Sequence, residues 1–150
     1  MSHPVLVEGS IDIARPVDEV FDFVADQRNE PAYNPDMTLS EKVTGGPLGV
    51  GTRYRALTEG YGKPTSLAIE VTGYERPRVL DTSTHMEQMD IHGGLSFEEI
   101  PGGTRMNWSW SLHPVGALRF AGPLIARMGR KSELKIWTGL KAYLEAQGDG

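Results

Sequence analysis

The stretch PLIARMGRKSELKIWTGLKAYLEAQ, residues 123–147, decides how the rest of the chain is read. At 100° per residue, Leu118, Ile125, Ile136, Trp137, Leu140, Tyr143 and Leu144 fall on one side. Arg127, Arg130, Lys131, Lys135, Lys141 and Glu145 fall on or near the other. The spacing predicts one amphipathic helix of about 25 residues, roughly 37 Å long at 1.5 Å per residue. Its apolar face is interrupted, because Gly122, Ala126, Gly129 and Ser132 stand where large side chains normally fill a core. Glu133 projects from the same face, close to the direction of Leu140. Either a bulky residue on a facing element fills this notch, or the notch is the floor of a ligand cavity.

Upstream of the helix the apolar period falls to two. Val5, Val7, Ile11 and Ile13 alternate with Leu6, Glu8, Ser10 and Asp12, the period of a half-buried strand. Pro16 then opens a short helix with Asp18 and Glu19 in its first turn and an apolar stripe of Val17, Val20, Phe21 and Val24. A second helical turn is expected over 29–33, ended by Asn34-Pro35. Six further strands are predicted over 38–44, 51–59, 65–74, 79–85, 90–99 and 104–112, separated by Gly- and Pro-rich turns. Seven strands with short connections make an antiparallel meander the economical arrangement. Met106, Trp108, Trp110 and Leu112 share one strand face, Leu95 and Phe97 another, and Leu67 and Ile69 a third. One sheet face is therefore apolar and suited to cover by a helix.

Composition narrows the class. At 150 residues the chain suits one domain with a real core. It has no cysteine, which removes disulfides and thiolate chemistry. The four histidines have no spacing that gathers a metal, so neither metal nor cofactor is expected. A net charge of -5 argues against a nucleic-acid partner. With no signal-like start and no long apolar run, a cytoplasmic protein without stable membrane insertion is expected. The helix carries +3 and the remainder -8. This basic stripe reads most simply as a solvated face, the other reading being a docking surface for anionic lipid or a partner. Oligomeric state cannot be read from the pattern.

The order of elements, together with several short pieces, resembles the START/Bet v 1-like (SRPBCC) superfamily, in particular its polyketide cyclase/dehydrase-like branch. The pieces are Ala14-Arg15-Pro16-Val17-Asp18-Glu19-Val20-Phe21, Asn34-Pro35, Gly49-Val50-Gly51-Thr52, Tyr74-Glu75-Arg76-Pro77, Gly102-Gly103-Thr104-Arg105 and the stretch from Leu140-Lys141 to Leu144-Glu145. They mark turns, strand starts and helix packing, and none is a catalytic signature. Tyr33 stands where such sequences often carry tryptophan. The resemblance covers nearly the whole chain. It implies an α+β helix-grip fold, a curved seven-stranded antiparallel sheet around a long C-terminal helix, with two short helices between strands 1 and 2. It also implies a cavity for a lipid, polyketide or other hydrophobic small molecule, or cyclisation or dehydration within that cavity.

A pocket in such a fold would be mostly apolar with a few placed polar groups. The strand candidates for its lining are Tyr54, Leu67, Ile69, Ile91, Leu95 and Phe97, with Met86 and Met89 at a turn. The last strand adds Met106, Trp108 and Trp110, and the C-terminal region adds Phe120, Ile125, Gly129, Ser132 and Ile136. Each is equally well explained as plain core. Proton-transfer candidates are Glu133, His85, Tyr33 and Tyr54. A carboxylate facing apolar space has its pKa raised and is poised as an acid or base. The plainer expectation for Glu133 is a rim position or an ion pair with Arg53, Arg55 or Arg105. His85 adjoins Met86 at a point of ambiguous parity, where a surface histidine is the plainer reading.

Overall fold

Alternation of inward and outward residues builds β1 (Val5–Ile13), after which Pro16, at the N-cap position but without a capping side-chain bond, precedes helix α1 (Val17–Ala25). A 3-10 helix follows over Gln27–Ala32, its first turn closed by Asp26, whose carboxylate accepts from the Arg28 N–H at 3.2 Å. Six strands come next: β2 (Met37–Lys42), β3 (Arg53–Thr58), β4 (Thr65–Glu75), β5 (Val79–His85), β6 (Met89–Ile100) and β7 (Gly103–Pro114). A second 3-10 helix, Gly116–Phe120, leads into α2 (Gly122–Gln147). This computed structural model describes residues 4–147.

The strands form one antiparallel sheet in the order β1-β7-β6-β5-β4-β3-β2. Strands β2 to β7 run as a meander. Among the described residues only the β1–β2 connection crosses the sheet, and it contains α1 and the first 3-10 helix. Register shifts in β2 between Met37 and Leu39, and in β4 between Val71 and Gly73, increase the local twist. The sheet thus curves toward the helices. Predicted strand limits agree with these within a few residues, whereas the 3-10 helix holding Leu118 was not anticipated.

The core lies between the inner face and the two α-helices. Phe21, fully buried on α1, meets the rings of Tyr74 and Phe97 edge-on at 5.3 and 5.2 Å. Leu140 and Leu144 bury the C-terminal half of α2. Thr104 is also fully buried, and its hydroxyl donates to the Arg15 carbonyl at 2.7 Å, tying β7 to the turn before α1. Thr104→Val leaves that carbonyl unpaired. It is expected to cost about 1–2 kcal/mol, read as a lowered urea midpoint at unchanged slope. A midpoint equal to wild type would show the bond to be dispensable.

Candidate functional site

Helix α2 makes its extensive strand contact with β1. Gly129 permits this, since a Cβ there would lie 2.9 Å from Val7 Cγ2, with Leu112 close behind. The expected notch at Gly129 is therefore filled by β1 and β7 aliphatic groups and is not a cavity floor. Trp108 does not plug it either. Its ring covers Gly9 on β1 and lies 6.3 Å from Trp137.

Two turns further along α2 the packing changes. Ile136 is only partly buried there, as are Thr84, Ile91 and Trp110 on the sheet face that points toward the helix. Glu133 lies one turn before Trp137 on this part of α2 and is near Trp110. Its carboxylate accepts from the Trp137 indole N–H at 3.2 Å, one helical turn on. Among the described residues no arginine pairs with it. Arg53, Arg55 and Arg105 pair instead with Glu70, Glu41 and Asp12 on the outer face, because strand parity turns them away from the helix. The expected ion pair is thus absent, and desolvation pushes the Glu133 pKa up to about 7 against the favourable Trp137 hydrogen bond.

Three groups share this environment with Glu133. Burial raises the Glu30 carboxyl, which accepts from Asn34 Nδ2 at 2.8 Å, and Glu30 in turn helps to raise Glu133. Tyr33, its ring tilted against those of Phe23 and Trp137, is raised well above the usual tyrosine value by desolvation and then by both carboxylates. Tyr61, from the turn between β3 and β4, is pushed to about 12 by desolvation and the same two carboxylates. Tyr61 nevertheless keeps 41 % of its surface accessible. The Trp110 indole N–H completes the group. It is buried without a hydrogen-bond partner among the described residues, yet lies near enough to Glu133 to favour the charged carboxylate.

The structure brings Glu133, Tyr33, Trp110, Trp108, Ile91 and Ile136 to this region or its border and sends other candidates elsewhere. Phe120 is 77 % exposed on the second 3-10 helix, outside the span of the sheet. Ser132 is exposed because it precedes Glu133 by 100° around α2. His85 projects outward and pairs with Asp90 through Nδ1 at 2.5 Å. Tyr54 is buried with its hydroxyl donating to the Ala25 carbonyl at 3.2 Å, so that hydroxyl serves the fold. Leu67, Ile69, Leu95, Phe97, Met106 and Ile125 are buried core residues, and Met86 and Met89 close the core at the β5–β6 turn. Sequence reasoning missed Glu30 and Tyr61 altogether. A tyrosine inside a Gly- and Pro-rich turn was the available signal for Tyr61; Glu30 carried none.

The outer sheet face holds a separate open groove of about 1010 Å³ around Gly93 and Gly94. Its polar side chains satisfy one another: Ser83 with His92, Asn107 with Ser96, and Ser109 with Glu8. Paired hydroxyls and imidazoles have little left to offer a ligand, whereas the buried Trp110 N–H near Glu133 has no partner among the described residues. No group of three or more metal-ligating side chains occurs among the described residues.

Residues 4–145 match the family described as polyketide cyclase/dehydrase and lipid transport. The chain belongs to this family. Among curated proteins none matches the sequence. Solved structures similar to this family member include a START superfamily protein from Mycobacterium smegmatis, with 13 % identity, a TM-score of 0.84 and coverage of 95 % of this chain and 99 % of that one. The Zhui aromatase/cyclase from Streptomyces sp. R1128 aligns with 14 % identity, a TM-score of 0.82 and coverage of 95 % and 94 %. A protein from Thermus thermophilus aligns with 16 % identity, a TM-score of 0.82 and coverage of 95 % and 98 %. At such identities the likeness is one of fold, and that fold is the helix-grip arrangement.

Proposed function

We propose that the protein binds a hydrophobic small molecule, of lipid or polyketide type, between the inner sheet face and α2. The observation that carries this reading is the buried Trp110 N–H, which meets no acceptor at full hydrogen-bond geometry among the described residues, beside a desolvated carboxylate that it only helps to stabilise, with partly accessible aromatic and aliphatic side chains around them. An unpaired buried donor is costly unless something accepts from it. A guest with an apolar body and one oxygen function would satisfy Trp110 and cover Ile91, Ile136 and Tyr61 at once. Apolar burial at roughly 25 cal/mol per Å² supplies the affinity, and the polar end supplies orientation.

The test is native mass spectrometry of the purified protein combined with titration against a panel of fluorescent lipids and aromatic polyketides. A retained mass or saturable binding is expected, weakened roughly tenfold by Trp110→Ala through lost stacking area and the lost donor. A protein that carries nothing and binds nothing across the panel would sink the reading.

A second reading, cyclisation or dehydration of such a guest, is favoured by one observation. Glu133 with a pKa of about 7 is divided between acid and base forms at neutral pH. Tyr33 and Tyr61, both held neutral, would serve as hydrogen-bond donors beside it. Turnover of a bound polyketide that disappears in Glu133→Gln while binding persists would establish it.

A further inference from the structure

The segment from Gly116 to Ser132 carries Arg119, Arg127, Arg130 and Lys131 and no acidic residue. That is +4 in a chain whose net charge is -5, so the remaining residues carry -9. Among the described residues these four cations form no salt bridge, whereas Lys135 and Lys141 further along the helix do. The same segment exposes Leu118, Phe120, Leu124 and Met128. A surface helix normally sends its apolar side chains to the core and its charges outward. The first half of α2 sends both outward: Leu124, Arg127, Met128 and Lys131 fall within about 100° of one another, opposite Gly129 and Leu140. At its start the Arg119 guanidinium lies over the Phe120 ring, 4.8 Å from its centre, so one cation and one protruding aromatic act as a unit.

From this juxtaposition we propose that the second 3-10 helix and the N-terminal half of α2 form a docking surface for an anionic lipid bilayer. Phe120, Leu124 and Met128 enter the headgroup boundary while Arg119, Arg127, Arg130 and Lys131 face the lipid charges. Charge complementarity commits the occupant to an anionic surface, and the excess negative charge elsewhere on the protein orients this face toward it. The apolar groups favour lipid over an acidic protein. They protrude from a turn and a helix face, and an acyl layer takes up protruding side chains without a matched shape. Docking is peripheral, since no helix among the described residues is long and apolar enough to cross a membrane. It does not depend on what occupies the space near Glu133.

Sedimentation with phosphatidylcholine vesicles, and with the same vesicles containing phosphatidylserine, tests the proposal on the full chain. Binding to the anionic vesicles at low salt is expected, with loss at roughly 1 M salt, where screening acts over about 3 Å. Arg127→Ala with Lys131→Ala should weaken partition by roughly fivefold for each cation removed. Phe120→Ser with Leu124→Ser should weaken it at least about tenfold. All four positions are exposed, so melting temperatures should stay near wild type. Trp110→Ala should leave docking unchanged, which separates failure here from failure of the ligand reading. Equal sedimentation with both vesicle types, or indifference to both double variants, would overturn the proposal. So would self-association abolished by Phe120→Ser, which assigns the face to a second copy. Retention on polyglutamate without vesicle binding would assign it to an acidic protein.

Discussion

Gly139→Val is expected to destabilise the protein by about 3 kcal/mol and to disturb the region around Glu133 together with the fold. A Cβ at Gly139 would stand 2.4 Å from the carbonyl oxygen of Tyr33. That atom belongs to backbone held in place by hydrogen bonds from the Tyr33 and Asn34 N–H groups to the Glu30 carbonyl. It cannot swing aside as a side-chain end would, so α2 must lift. Trp137 and Glu133 lie on the same turns of the helix, and Trp137 packs 6.0 Å from Tyr33. Lifting α2 therefore separates the carboxylate from its neighbours. Gly139→Ala is the sharper control, because alanine gains about 1 kcal/mol of helix propensity over glycine. Urea unfolding followed by tryptophan fluorescence decides the matter. If Gly139→Ala recovered the whole propensity gain as extra stability, the close approach of α2 to Tyr33 would be wrong.

Glu133→Gln is expected to make the protein more stable than wild type at pH 8, by up to about 3 kcal/mol, with the two converging below pH 4.5. The native Glu133 pKa of about 7 lies above the ordinary value of 4.5. Between those values the native state holds a proton that the unfolded state has released. Stability therefore falls as pH rises through this window and levels off above it. Glutamine keeps the shape and an acceptor for Trp137 but never ionises. Glu30 is raised by the same cause, so part of the slope should survive in the variant. Asp12, Asp26 and Glu145 behave oppositely, since Arg105, Arg28 and Lys141 hold them low. Their contributions are present above the unfolded values and are lost as pH falls through the native ones. Denaturation curves taken from pH 2 to pH 8.5 separate these groups. Identical curves for wild type and Glu133→Gln throughout would mean that water reaches the carboxylate freely.

Much of this architecture was legible along the chain. Alternation in β1, β4 and β7 set which residues turn inward, and Gly/Pro turns set the meander, because both are consequences of local geometry. The long apolar stripe from Ile125 to Leu144 likewise required a helix with a covered face. Local pattern also singled out Glu133, as a carboxylate placed on that face.

Its partners were another matter. Whether Glu133 met an arginine or an indole depended on which strand face each arginine occupied once the sheet had curled, and Arg53, Arg55 and Arg105 all turned outward. Glu30 and Tyr61 reach the same place from segments separated by β2 and β3, a proximity that no short-range period encodes. Gly129 looked like a hole until Val7 filled it, and Phe120 looked like lining until the 3-10 helix carried it outside the sheet. Period and turn chemistry thus determined the elements and their buried faces by local sterics. The neighbours of each polar group were decided only in three dimensions, where sheet curvature and one close helix–strand contact at Gly129 determine what remains unfilled.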